Sequence, residues 1–161
     1  MNNIIHIADF YSTEIRGGGE LVDEIVVSSL VDKGYKVARL KSKQVTERLI
    51  KDNADKLFIV SNFVMLNPVC IRLLQTCDYV IYEHDHKYIV GRDPSPYKDY
   101  KVPTNNLTNL EFYRNAKAVF AQSKLHAEVI KKNIREANVI NLGCSLWSGK
   151  ELDILQEYVD S

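Results

Sequence analysis

Apolar positions along this chain follow two alternating rhythms. Short, nearly continuous apolar runs at 4–8, 35–40, 56–60, 78–82, 118–121 and 139–142 read as strands. Between them the spacing turns helical. Leu21, Val22, Ile25, Val26 and Leu30 mark a helix that ends near Lys33, with Gly34 where a C-terminal glycine belongs. Further helices are predicted over 46–51, over 69–76 behind Pro68, over 109–115 and over 125–134 behind Ser123 as N-cap. A last one over 149–159 is amphipathic through Leu152, Leu155 and Tyr158 or Val159. The stretch 91–106 holds a glycine, prolines and many polar residues, and reads as a long loop.

Strands that alternate with helices need a parallel sheet covered on both faces. The expected fold is α/β, a Rossmann-like three-layer sandwich with a mostly parallel sheet of about six strands. Ligands of such sheets bind beyond the carboxyl ends of the strands. Here those ends are the stretch leading to Gly17, Gly18 and Gly19, then Ser61-Asn62, residues 83–87, Gln122-Ser123 and residues 142–147.

The three glycines open the first helix, whose unpaired N–H groups and positive dipole end suit an anion. They do not make a dinucleotide fingerprint: Gly17 and Gly19 fit its first two places, but Val22 stands at the third. No Gly-Lys-Ser/Thr follows, so there is no P-loop either. Arg16 beside them is a candidate phosphate partner, and Glu20 sits at the positive helix end. The second candidate cluster is Glu83-His84-Asp85-His86. A histidine there can move a proton, bond a sugar hydroxyl or bind a metal, the last through His84 and His86 with His126 or Asp9. Ser123 reads first as a helix cap and His6 as a satisfied core histidine.

Composition narrows the class further. The chain has 161 residues, enough for one domain, and is 45% hydrophobic and 26% charged. Lys plus Arg and Asp plus Glu both number 21, which argues against a nucleic-acid binder working by bulk charge. Lys124, Lys131, Lys132 and Arg135 line one helix, a solvated face or a weak peripheral contact with an anionic membrane. Cys70, Cys77 and Cys144 have no paired spacing; the first two share a helix face if their segment is helical. With no signal-peptide pattern and no apolar run near the ~20 residues of a membrane span, a cytoplasmic location is expected.

Four stretches together resemble the N-terminal domain of GT-B glycosyltransferases of the group 1, family 4 type. Gly17-Gly18-Gly19-Glu20 with the helix after it, down to Lys33-Gly34-Tyr35-Lys36-Val37, resembles that family's Gly-Gly-x-Glu opening. Residues 80–85 resemble its strand ending in His-Asp, and residues 116–123 its strand and helix cap. Residues 139–147 resemble its hinge, with Leu142-Gly143-Cys144-Ser145 in place of Asn-Gly-Val-Asp.

The resemblance implies hexosyl transfer from a nucleotide sugar to an acceptor of unknown identity. This domain would be the acceptor-side half, inactive without a donor-binding C-terminal GT-B domain. Residues 1–147 would form the domain, and 148–161 a terminal helix or the start of a linker. His84 would be the catalytic residue; Gly17, Gly18, Gly19, Arg16, Asp85 and Ser123 would bind substrate or phosphate. No cofactor or metal is expected in this reading. The alternatives are a non-catalytic domain that binds a sugar or phosphate ligand, and a small metal-dependent hydrolase using His84 and His86.

Overall fold

Ile4, Ile5, Ile7 and Ala8 are each no more than 3% exposed, because their strand lies inside the sheet with helices on both sides. The computed structural model describes residues 3–160. Six strands are present: β1 (Asn3–Ala8), β2 (Lys36–Lys41), β3 (Leu57–Val60), β4 (Asp78–Tyr82), β5 (Val119–Ala121) and β6 (Val139–Asn141). The helices are α1 (Gly18–Asp32), α2 (Glu47–Asp52), α3 (Pro68–Leu74), α4 (Leu110–Arg114), α5 (Lys124–Asn133) and α6 (Gly149–Asp160). The sheet runs β2-β1-β3-β4-β5-β6, and every pairing is parallel. The expected Rossmann-like three-layer fold is therefore the observed one, with a sheet that is wholly parallel.

Register divides the strand residues between two cores. Ile7, Val60, Ile81, Val119 and Val139 pair in one row across five strands. They face the larger core, which α2 to α5 complete through Ile50, Leu74, Phe112, Tyr113 and Ile130. The opposite face, with Ile4, Ile59 and Tyr82, is covered by α1 through Val22, Val26 and Leu30. The buried stripe of α1 is rotated from the predicted one: Val22, Asp23 and Val27 are buried, whereas Leu21 is exposed. That rotation places a carboxylate against the sheet.

The chain turns left from β1 to β2 and then crosses to β3 on the other side. The carboxyl ends of β1 and β3 therefore flank the switch point of the sheet. Asp9 ties the two ends together there, since its carboxylate accepts the N–H groups of Val64 at 2.9 Å and Met65 at 3.0 Å.

The connection from β4 to α4, residues 83–109, which contains the predicted long loop, is an ordered strap. It contains two 3-10 turns, at Lys98–Tyr100 and Thr104–Asn106, and an antiparallel bridge between Ile89 and Leu107. The side chain of Asn133 on α5 accepts the Val102 N–H and donates to the Tyr100 carbonyl, both at 2.9 Å. Those anchors hold Val102 in the core. Among the described residues, every non-glycine residue with positive φ lies on this strap: His86, Arg92, Asp99, Tyr100 and Asn109.

Cys70 is buried, Cys77 half-buried and Cys144 exposed, all as free thiols. Because α3 stops at Leu74, Cys77 does not share a helix face with Cys70. The apolar residues of α6 stay in solvent: Leu152, Leu155, Tyr158 and Val159 are all exposed. No described helix is long and apolar enough to cross a membrane.

Candidate functional site

Helix α1 begins directly on the glycines. Gly17 is its N-cap with φ −93° and no side-chain cap, so the amides of the first turn lack a side-chain acceptor from the cap residue. Glu20 folds back over Gly17, so that a Cβ added there would run into its Oε2. Gly18 faces open space, with nothing within 4 Å of the position a Cβ would take. At Gly19 a Cβ would lie 3.5 Å from the His84 ring and 3.6 Å from Asn62 Nδ2. Both are ordinary contact distances, so the first turn lies close against His84 and a Cβ at Gly19 would touch the ring.

Beside these glycines lies a cavity of about 340 Å³, lined by Gly18, Gly19, Leu21, His84, Gln122 and Trp147 among others. A groove of about 720 Å³ opens on the other rim, between Lys43, Arg48, Met65 and Cys70. The smaller cavity is the better candidate because His84 and Gln122 line it and buried Asp23 backs His84. His84 Nε2 is 3.1 Å from Asp23 Oδ1, and its Nδ1 is 2.7 Å from Gln122 Nε2. Gln122 Oε1 in turn accepts from Ser145 Oγ at 2.8 Å. On the inner side, His6 lies between Tyr11 OH at 3.2 Å and Ser61 Oγ at 3.1 Å. The polar chain thus crosses the carboxyl edge of the sheet from β1 to the segment after β6.

Asp23 is fully buried. Burial alone would raise its pKa, but the two imidazoles beside it, His84 within hydrogen-bond distance and His6 just beyond, outweigh that and hold it at about 2. Among the described residues its Oδ2 has no hydrogen-bond partner, nor has the buried hydroxyl of Tyr82.

Glu83, one residue before His84, faces the opposite way, as strand alternation requires. Its buried carboxylate accepts the Tyr113 hydroxyl, the Asp85 N–H at 2.9 Å and the Lys87 ammonium at 3.3 Å. Burial pushes its pKa up, whereas the Lys87 charge and these hydrogen bonds bring it down to about 2. Lys87, only 4% exposed, also pairs with Asp85, which binds Arg92 at 2.7 Å.

The structure therefore separates the expected site residues. Gly18, Gly19 and His84 meet at the cavity, with Gly17 as the cap beside them. Arg16 is exposed and is not among the lining residues. Asp85 is engaged by Lys87 and Arg92 on the far side of the strand end. Ser123 caps α5 by accepting the His126 N–H at 3.1 Å, and its neighbour Gln122 enters the cavity in its place. His84 and His86 diverge: His86 Nδ1 bonds Tyr88 OH at 2.9 Å and its ring meets His126 at 4.6 Å. Among the described residues no group of three or more His, Cys, Asp or Glu can hold a metal, so the paired-histidine metal site has no geometric basis.

Asp23 was not legible as a site residue because the apolar stripe of the helix suggested a different face. A usable signal was its position four residues after Gly19 and four before buried Val27.

His126 carries a testable consequence. Burial, followed by the charge of His86, lowers its pKa from the ordinary 6.5 to about 4. The unfolded chain then takes up a proton that the folded chain refuses, so stability falls as pH drops from 6.5 towards 4. His126→Gln is expected to move the midpoint of acid unfolding to lower pH, read by circular dichroism across a pH titration. An unchanged midpoint would show that His126 does not control this transition.

Fold and site together define a Rossmann-like α/β domain with a polar crevice at the carboxyl edge of its sheet. Compared with known proteins, the chain matches no family model and no curated protein.

Proposed function

We propose that this domain serves glycosyl transfer, forming the acceptor-side wall of a crevice that takes a nucleotide sugar. One observation carries the reading: the first turn of α1 and the His84 imidazole line the same cavity, with exposed Trp147 on its rim. Helix N–H groups suit phosphate oxygens, an imidazole suits a sugar hydroxyl, and an indole face suits the apolar face of a sugar ring. His84 is the candidate catalytic residue. The nucleotide pocket belongs to a second Rossmann-like domain facing this rim, and turnover requires both. A non-catalytic sugar- or phosphate-binding domain would use the same cavity, and the two readings separate on turnover once the facing domain is supplied.

Trp147 is the only tryptophan in the chain, so its fluorescence reports the cavity directly. Titration with a panel of nucleotide sugars is expected to give a saturable change, and inorganic phosphate alone a weaker one. An emission that no member of the panel alters, with the chain alone and with the facing domain supplied, would refute the reading.

A further inference from the structure

We propose that Asp23 is the positioning residue of this site: it holds His84 as the Nε2–H tautomer, so that the atom turned towards the cavity partners is Nδ1, a proton acceptor. The tautomer assignment stands on hydrogen-bond geometry alone. Its consequence for transfer, that His84 receives a sugar hydroxyl rather than a phosphate oxygen, rests on the glycosyl-transfer reading.

Three sets of hydrogen bonds fix that tautomer. First, the Tyr11 hydroxyl sits 2.9 Å from the His6 carbonyl and 3.2 Å from the Leu40 carbonyl, both acceptors only, so its single proton is committed to them. It then accepts from His6 Nδ1–H at 3.2 Å, which leaves His6 Nε2 to accept from Ser61 Oγ at 3.1 Å. Second, His6 Nε2 is 3.7 Å from Asp23 Oδ1, beyond hydrogen-bond reach. His84 Nε2, at 3.1 Å, is then the one ring nitrogen placed to donate to this carboxylate. Third, an ionised carboxylate only accepts, so His84 Nε2 carries the proton and neutral His84 has its lone pair on Nδ1. Gln122 Nε2 donates to that lone pair at 2.7 Å while Ser145 donates to Gln122 Oε1, so every proton in the relay points one way. A ligand hydroxyl that takes the place of the Gln122 amide finds an acceptor. A phosphate oxygen finds a lone pair and is repelled, which assigns phosphate to the helix end of the cavity and hydroxyl to His84.

A buried carboxylate with one oxygen unpartnered among the described residues is unfavourable for the fold. Its placement makes sense as a constraint on His84, whose ring also lies tilted against Tyr82 at 5.2 Å and packs under Gly19.

The test is nitrogen–proton correlation NMR of the imidazoles in the isotope-labelled 161-residue chain, at a pH above the usual imidazole range. His84 is expected to show the Nε2–H pattern. A wild-type His84 in the Nδ1–H form, or one still doubly protonated there, overturns the proposal. In Asp23→Asn the tautomer preference is expected to be lost, because the new amide can donate to Nε2 and favour Nδ1–H. A folded Asp23→Asn chain that keeps the wild-type pattern overturns it. Gln122→Ala guards against a variant that fails to fold: retention of Nε2–H supports Asp23 as the controlling group, and a switch in this variant assigns control to Gln122 and overturns the proposal. None of these outcomes depends on nucleotide-sugar binding, so the tautomer assignment and the glycosyl-transfer reading fail separately.

Discussion

Gly18→Val is expected to weaken ligand binding in the crevice while leaving the domain folded. The position has open space where a side chain would begin, and that space belongs to the cavity. A branched side chain there occupies volume that a ligand needs, close to the amides that would meet its phosphate. Overpacking a filled site is unfavourable by about 1–3 kcal/mol, a loss of roughly tenfold to a hundredfold in affinity. The backbone of Gly18 is not in the left-handed region, where only Gly34 and Gly143 lie among the described glycines. Valine is also a better helix residue than glycine by a few tenths of a kcal/mol. The thermal midpoint should therefore move by no more than a few degrees. Trp147 fluorescence titration beside a melting curve checks both halves; unchanged affinity in a folded variant would show that the glycines are only a connection.

Lys87→Met is expected to have the opposite character, a large loss of stability with little effect on affinity of the folded fraction. Lys87 and Glu83 are both buried, and the Glu83 carboxylate also holds the Tyr113 hydroxyl and the Asp85 N–H. Removing the ammonium leaves a buried carboxylate without its main counter-charge. Breaking such a pair from one side destabilises by about 3–5 kcal/mol, or roughly 10 °C in a domain of this size. The double change Glu83→Gln with Lys87→Met should recover much of the loss, because no unpaired charge remains. The same pair gives the protein an acid limit. The folded pKa of Glu83, about 2, is below its ordinary 4.5, so its contribution is complete above 4.5 and is lost as pH falls towards 2. Urea unfolding of the single and double variants at neutral pH, repeated in acid, measures each part. A single variant as stable as wild type would show that the strand end does not depend on this ion pair.

The Lys87 ion pair and the His84 cavity are kept apart by strand register. Glu83 and His84 are neighbours in the chain, yet they serve opposite faces of the sheet. The cluster Glu83-His84-Asp85-His86 is legible as chemistry-bearing, but as a linear string it suggests a shared site. In the fold, Glu83 and Asp85 work with Lys87 and Arg92 to hold the strap, while His84 alone turns to α1. The period of two along an extended chain predicts that split, and a metal reading that joins His84 to His86 runs against it.

Local pattern was enough for the elements themselves. Each of the strands and helices lies where the apolar spacing places it, and the strand–helix alternation dictated a parallel sheet because parallel neighbours need a crossover between them. The cap at Ser123, Pro68 in the first turn of α3 and Gly34 with φ +87° behave as their residue types demand. These features act within a few residues of themselves, so sequence alone carries them.

What the tertiary structure decided is which side chains meet. The rotation of α1 that buries Asp23, the turn of Gln122 into the cavity and the reach of Ser145 from beyond β6 depend on how separate elements pack across 61, 38 and 23 residues of chain. No local spacing encodes such distances. They follow from the larger core drawing α2 to α5 to one face and leaving the other to α1, so that a single helix sets its glycines and its carboxylate against the same histidine.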